Sequence, residues 1–126
     1  MTPDAAVRQV LVAQVAAWNR GDLDGFMAAY WNDPALTFYS GDSPTAGWRE
    51  TKERYVKRYK AEGKEMGRLS FDIHAVAALG PDHAVAKAAW RLVLKTGQPN
   101  GLFTLLLRNF PDGWKIIHDH TSAKAP

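Results

Sequence analysis

The sequence predicts an α+β domain, with helices in its first half and an antiparallel sheet in its second half. Two changes along the chain support this prediction. In roughly the first sixty residues, apolar side chains recur at the three- and four-residue spacing of helices, and from Arg68 onward the spacing changes to two. Short turn sequences that contain Gly and Pro then divide the second half into four long segments. Helices followed by a meander of strands are typical of an α+β fold, in which the helices cover one side of the sheet.

Three helices are predicted before the sheet. The first follows Thr2 or Asp4, either of which can cap it, and ends at Gly21. Asp22 then caps a short second helix. The third covers residues 48–60, where acidic and basic residues are interleaved. This mixture is typical of a solvated helix face, so we expect no nucleic-acid partner despite the net charge of +3.

Five strands are predicted after the second helix. The first is short and is followed, at residues 41–47, by a segment rich in Pro, Ser and Gly that predicts a loop. The other four are long and alternate between apolar and polar residues, as half-buried strands do. The five predicted strands cover residues 36–40, 68–79, 83–95, 102–110 and 114–122.

Length and composition predict one domain spanning residues 1–126, with ordinary contents of 46% hydrophobic and 23% charged residues. The sequence contains no cysteine, which excludes disulfides and thiol chemistry. No apolar run approaches the about 18 residues of a membrane span. Residues 1–4 lack the pattern of a secretory signal, so we expect a cytoplasmic protein without a membrane partner.

The strand pairing decides which titratable side chains share a face. Turn lengths predict that Asp72 lies opposite Arg91, and that Arg91 lies opposite Leu106. A glycine bulge after the last turn would place Leu106 opposite His118. A two-residue loop there would instead bring Asp119 onto that row, because a slip of one residue exchanges the faces. We favour the bulge, and the alternative stays open.

On this register the sheet has a charged face and an apolar face. The charged face carries Asp72, Arg91, His118 and His120, and the apolar face carries Trp90 with many leucines and alanines. Two interpretations follow. The apolar face packs under the helices and the charged face meets solvent. Alternatively, the apolar face is a dimer interface and the charged face curves into a pocket.

Two motifs resemble the nuclear transport factor 2-like (NTF2-like) superfamily. Residues 17–26, AWNRGDLDGF, are similar to its helix–(N)xGD–helix opening. Residues 112–122, DGWKIIHDHTS, resemble the DGxW…VHxHxS close of the calcium/calmodulin-dependent kinase association domain, and the chain is also similar to small stand-alone SnoaL-like and DUF4440 proteins. The resemblance implies a cone-shaped, cystatin-like fold with a curved antiparallel sheet around an internal pocket. It also implies a homodimer through the outer face of the sheet, and therefore favours the second interpretation.

Ketosteroid isomerases belong to the same superfamily, but the resemblance does not transfer their chemistry. Their first-helix tyrosine matches Gln14, their general-base aspartate matches Tyr39, and their protonated aspartate matches Leu106. The acid and base groups of that reaction are therefore missing from the matching positions.

The candidate catalytic residues are His118, Asp119 and His120 of the last strand. We expect Asp72 to orient Arg91, Arg91 to bind a carboxylate or an enolate, and a histidine to act as the general acid or base. Asp119 is the acid or base under the alternative register. The histidines of the strands lack a tight metal-ligand spacing, so we expect neither a metal nor another cofactor.

Aromatic residues with polar tips are the candidates to line the pocket, because such walls bind flat or cyclic ligands. The predicted ligand-binding residues are Tyr30, Tyr39, Trp48 and Tyr55, together with Gln14. The sequence thus predicts a protein that binds a small cyclic or carboxylate-bearing molecule, as a cofactor-free cyclase, isomerase or hydratase. The alternative is a non-catalytic ligand-binding or oligomerisation module that resembles the kinase association domain.

Overall fold

A computed structural model describes residues 1–125 of the chain. The helices come first and are followed by a curved sheet of six strands in the spatial order β2-β1-β6-β5-β4-β3. None of the helices among these residues is both long and apolar enough to cross a bilayer. The elements are α1 (Pro3–Asn19), α2 (Leu23–Met27), β1 (Thr37–Ser40), β2 (Ser43–Ala46), α3 (Trp48–Tyr55) with a π-helical turn (Val56–Lys60), β3 (Arg68–Ala78), β4 (His83–Val93), β5 (Asn100–Phe110) and β6 (Gly113–Thr121).

The helices begin where the capping residues predict. Thr2 is the N-cap of α1, and Pro3 occupies the first helical position, where its missing N–H costs nothing. The Oδ1 of Asp22 accepts a hydrogen bond of 2.8 Å from the N–H of Gly25 and caps α2. The predicted third helix is present as α3 and the π-helical turn, which together cover residues 48–60.

The sheet is mixed, whereas we expected an antiparallel one. β1 runs parallel to β6, and every other pair of neighbouring strands is antiparallel. β2 lies in the segment that we predicted to be a loop. Gly41, with φ of 60°, allows the tight turn into it, and its Pro44 is tolerated because β2 is an edge strand.

The predicted row of Asp72, Arg91 and Leu106 does not form. Arg91 lies opposite Ser70 on β3 and opposite Asn100 on β5. The β4–β5 turn is centred earlier than expected, since Leu94 bridges to Gly97, and the β3–β4 register shifts between Ile73 and Ala75. Because of these two differences, Asp72 and Arg91 each face a different residue of the neighbouring strand from the one expected.

Leu106 does lie opposite His118, as predicted, but a different bulge is responsible. Gly113 pairs directly with Phe110, and the register shifts later, so that Ile117 is the extra residue. This bulge lies where the hydrogen-bonding partner of β6 changes from the segment after α2 to β1. The N–H of Ile116 donates to the carbonyl of Ala29 just after α2, and from His118 onward β6 pairs with β1.

The apolar face of the sheet packs beneath the helices, so the first of the two interpretations is correct. Leu92, Leu105, Leu107 and Ile116 of this inner face are buried together with Leu11 of α1. The expectation that the charged face forms the pocket is wrong. An apolar face stabilises the fold when it is removed from water, whereas burial of several unpaired charges would be costly.

Candidate functional site

A cavity of about 360 Å³ lies between the helices and the inner face of the sheet. Its wall is mainly aromatic and aliphatic, and the charged side chains that line it are Asp119, Arg54 and Arg58. Residues from α1, the α2 end, α3, β1, β3, β4, β5 and β6 all contribute to it. The aromatic part of the wall includes Trp18, Phe26, Phe38, Tyr59, Phe71 and Phe103.

Asp119 is a buried carboxyl group in the wall of this cavity, with an exposed fraction of 3%. Its Oδ2 accepts a hydrogen bond of 2.7 Å from the hydroxyl of Tyr30, and its Oδ1 accepts one of 2.7 Å from Thr121 Oγ1. Burial raises the pKa of Asp119 to about 6, and these two hydrogen bonds oppose the rise. The group can therefore hold or release a proton close to neutral pH.

Two tyrosines extend the polar cluster of Asp119. The hydroxyls of Tyr30 and Tyr55 are 3.5 Å apart. Burial, and then the charge of Asp119, raises the pKa of both phenols, so both remain protonated at neutral pH. The hydroxyl of Tyr30 donates its hydrogen bond to Asp119, and at 3.5 Å its contact with the hydroxyl of Tyr55 is long. The hydroxyl proton of Tyr55 is therefore available to a ligand.

The bulge at Ile117 decides that Asp119 faces the cavity. Side chains alternate along a strand, and Ile116 points inward. Without an extra residue His118 would point inward too. Because Ile117 is an extra residue, the side chains that follow it exchange faces, so His118 points outward and Asp119 pairs with the buried Leu105. Tyr30 bridges to Ile116, and this places its ring beside the carboxyl group.

The structure brings four of the predicted site residues together. Tyr30, Tyr55, Asp119 and Gln14 all line the cavity. Gln14 is buried, and its Nε2 donates a hydrogen bond of 3.4 Å to the carbonyl of Phe26. This contact fixes the amide in the wall of the cavity.

Arg91 and Asp72 do not line this cavity, so the structure does not bring the predicted ligand-binding pair into it. Both lie on the outer face, where they border a separate groove. Arg91 donates to Gln98 at 3.3 Å, and the carboxylate of Asp72 has His74 at 3.6 Å. The neighbour of Arg91 along the strand, Trp90, lines the cavity instead.

His118 and His120 also lie outside the cavity, so neither can act on a molecule bound in it. They pack with Tyr39 on the outer face, the two imidazole rings lying 5.0 and 5.7 Å from the phenol ring. His118 Nδ1 contacts Thr37 Oγ1 at 2.6 Å, and His120 Nε2 contacts the carbonyl of Gly41 at 3.1 Å. Burial and then the charge of His120 lower the pKa of His118, while a hydrogen bond with the backbone of Thr37 opposes this.

Tyr39 and Trp48 were predicted to bind the ligand, and they too lie outside the cavity wall. Tyr39 belongs to the histidine cluster just described. Trp48 Nε1 donates a hydrogen bond of 3.0 Å to the carbonyl of Met27, which holds α3 against the end of α2. Within residues 1–125 there is no group of three or more His, Asp or Glu side chains that could hold a metal ion.

Sequence reasoning missed Arg54 and Arg58, which line the cavity with Tyr55 and Tyr59. A signal was present, because the dipeptide Arg-Tyr occurs twice with a spacing of four residues. Residues four apart share one face of a helix, so the two pairs face the same side. The π-helical turn contains the second pair, and such turns occur frequently at functional sites.

Comparisons with known proteins agree with this fold. A SnoaL-like domain matches residues 7–126. The chain is 36% identical to an NTF-2-like protein of unknown function from Shewanella oneidensis MR-1, over 94% of this chain and 97% of that one, with a TM-score of 0.88. A search of curated proteins found no match.

Two further solved structures share the fold at lower identity. A ketosteroid isomerase-like protein from Erwinia carotovora atroseptica SCRI1043 is 22% identical, over 97% of this chain and 96% of that one, with a TM-score of 0.78. A putative calcium/calmodulin-dependent protein kinase type II association domain from Thiobacillus denitrificans ATCC 25259 is also 22% identical, over 98% and 96%, with a TM-score of 0.77. The resemblance to the NTF2-like superfamily is thereby confirmed. With nearly its whole length matched, the chain belongs to the SnoaL-like domain family.

Proposed function

We propose that this protein binds a small, flat organic molecule in its cavity and moves a proton on that molecule, with Asp119 as the acid-base group and no cofactor. The observation that carries the proposal is the placement of Asp119: a buried carboxyl group with a pKa of about 6 in the wall of an aromatic cavity. A general acid or base works best when its pKa lies near the working pH.

The cavity limits the size and shape of the ligand. Its volume of about 360 Å³ lies near the lower end of ordinary ligand pockets, which span about 300–1,000 Å³. Aromatic rings such as Phe103 and Trp18 offer flat apolar surfaces, and only a few polar groups interrupt them. A cyclic compound with a carbonyl group fits this combination.

The reaction follows from the protonation states of the polar cluster. Ionised Asp119 takes a proton from a carbon next to a carbonyl group, and the electron pair of the broken C–H bond moves to the carbonyl oxygen. The protonated phenol of Tyr55 donates a hydrogen bond to this oxygen as its negative charge develops. Protonated Asp119 then returns the proton to the same carbon, which gives exchange, or, where a C=C bond is conjugated with the enolate, to the far carbon of that bond, so that the double bond shifts as the C=O re-forms; Tyr30 holds the carboxyl group in place throughout.

Proton exchange tests this proposal without knowledge of the natural substrate. The α-protons of 2-indanone exchange with D₂O, and the rate is followed by ¹H NMR with and without protein. We expect the wild-type protein to accelerate exchange and Asp119→Asn to lose that acceleration by a factor of about 10²–10⁴. Asp72→Asn removes the same charge from the outer face and should keep the wild-type rate. Equal acceleration by wild type and Asp119→Asn would overturn the proposal.

We also propose that the protein forms a homodimer through the outer face of its sheet. Leu102 and Val93 lie on this face with exposed fractions of 57% and 43%, and a partner that covered them would remove this apolar surface from water. Light scattering should give the mass of a dimer for the wild type and of a monomer for Leu102→Lys. A larger ring would instead support the assembly module, and a wild-type monomer would contradict both arrangements.

A further inference from the structure

We infer that the ligand of the cavity carries an anionic group, and that Arg54 and Arg58 bind this group at the mouth. The inference deepens the proposed function and rests on it, because it presupposes a ligand in the cavity. It names the chemical class of that ligand: a small aromatic or cyclic acid.

The distribution of charge around the cavity is the first argument. Arg54 and Arg58 line the cavity, yet no carboxylate among residues 1–125 lies within 4.0 Å of either guanidinium. Lys52, which precedes Arg54 in α3, does have a carboxylate partner, since its Nζ lies 2.7 Å from Asp24. The mouth of the cavity therefore presents two positive charges without an internal counterion.

Arg54 is held in a defined position by the edge strand β2. Its Nη1 donates hydrogen bonds to the carbonyl of Ser43 at 3.2 Å and to Thr45 Oγ1 at 2.8 Å. Its guanidinium carbon lies 5.3 Å from the ring of Phe38, which lines the cavity. The N–H groups on Nε and Nη2 remain, and they form the planar fork that binds a carboxylate with two parallel hydrogen bonds.

Arg58 lies four residues further along, on the π-helical turn. It is exposed, and its guanidinium carbon lies 5.8 Å from the ring centre of Tyr59, which lines the cavity. A guanidinium stacked on an aromatic face keeps its edge free for hydrogen bonds. Arg58 is thus more exposed than Tyr55 and Tyr59, whereas Arg54 is half-buried like them.

Asp119 determines how such a ligand is oriented. Its negative charge inside the cavity repels an anion, whereas the two arginines at the mouth attract one. A ligand with a single carboxylate therefore binds with that group outward and with its uncharged ring toward Asp119. This orientation brings neutral carbon atoms, rather than the charged group, to the acid-base residue.

A pair of probes that differ only in charge tests this inference. The probes are 2-naphthoate and 2-naphthamide, and binding is followed by ¹H–¹⁵N NMR at the indole N–H groups of Trp18 and Trp90, both of which line the cavity. We expect the wild type to bind the acid at least about tenfold more tightly than the amide, since charge-assisted hydrogen bonds are stronger than neutral ones. The double variant Arg54→Gln/Arg58→Gln should lose this preference and still bind the amide. Lys57→Gln removes an exposed charge from the same turn, outside the cavity, and should keep the preference.

Each outcome separates this inference from the proposed function. Equal binding of the two probes by the wild type overturns the anion site and leaves the cavity as a site for neutral ligands. A preference that survives in the double variant overturns the role of the two arginines. Binding of neither probe overturns the proposed function together with the inference. Asp119→Asn should lose proton exchange but keep the preference for the acid, so a failure of catalysis is distinguishable from a failure of anion binding.

Discussion

The hydroxyl of Tyr30 donates a hydrogen bond of 2.7 Å to Oδ2 of Asp119, across 89 positions of the sequence. The contact joins the end of α2 to the last strand, and it depends on the bridge between Tyr30 and Ile116. It also fixes the carboxyl group on which the proposed reaction depends. Four predictions follow from this contact and from the elements that surround it.

Asp119→Asn should stabilise the fold in a pH-dependent manner. The pKa of Asp119 is about 6 in the folded protein against an ordinary 3.8, so the unfolded chain loses this proton first as the pH rises. The wild type therefore loses stability between about pH 4 and pH 6, by about 3 kcal/mol in all, and the loss persists above pH 6. Asparagine has no charge to bury, so the variant should gain by up to about this amount at pH 7.5 and little at pH 3.5.

Urea unfolding at pH 3.5 and pH 7.5 measures this difference. Asp72→Asn is the control, because it removes the same charge from an exposed position. A similar gain in the control would show that net charge, rather than the burial of Asp119, is responsible.

Tyr30→Phe and Thr121→Val should each raise the pKa of Asp119 above about 6. Both hydroxyls donate hydrogen bonds to the carboxyl group and favour its ionised form, so the loss of either bond favours the proton. The ¹³C shift of the Asp119 carboxyl carbon, followed against pH, gives the pKa directly. Tyr39→Phe removes a phenol outside the cavity and should leave the value unchanged. A lower pKa in either of the first two variants would contradict the assigned hydrogen bonds.

His120→Gln should raise the pKa of His118. The positive charge of His120 is one of the two causes that lower this pKa from its ordinary 6.5, and the variant removes it. Because a lowered imidazole pKa makes the fold lose stability as the pH falls below about 6.5, the variant should also be less sensitive to acid. Imidazole ¹H NMR measures the first effect and thermal unfolding at pH 5.5 the second. His74→Gln on the distant strand β3 should change neither.

Gly101→Ala should destabilise the protein and disturb the cavity wall. A Cβ at this position would overlap the carbonyl of Ser122, to which Trp90 Nε1 donates a hydrogen bond of 3.0 Å. Overpacking of this kind costs about 1–3 kcal/mol, and Trp90 should lose its partner. Urea unfolding gives the cost, and the indole N–H signal of Trp90 reports the lost hydrogen bond. Gly80→Ala, in a turn where a Cβ meets no other atom, should leave that signal in place.

Local signals were sufficient to predict the helices and most strands. Thr2 and Asp22 cap the helices as predicted, because a capping side chain acts within three residues of its own position. The alternation of apolar residues predicted the four long strands for the same reason. β2 was missed because its Pro and Ser are typical of a loop, and only pairing with β1 makes it a strand.

The candidate site depended on pairings that no local pattern contains. The sequence shows that His118 and His120 share one face and that Asp119 takes the other, because side chains alternate along a strand. Which face lines the cavity was decided by the tertiary structure, through the packing of the apolar face beneath α1 and the bulge at Ile117. The bulge forms where the hydrogen-bonding partner of β6 changes from the segment after α2 to β1. Both partners lie about 80 positions or more away in the chain. The sequence by itself therefore determined the elements, the family and the residues of the last strand. The long-range backbone pairing determined that the carboxyl group of Asp119, rather than the imidazoles of His118 and His120, lines the cavity.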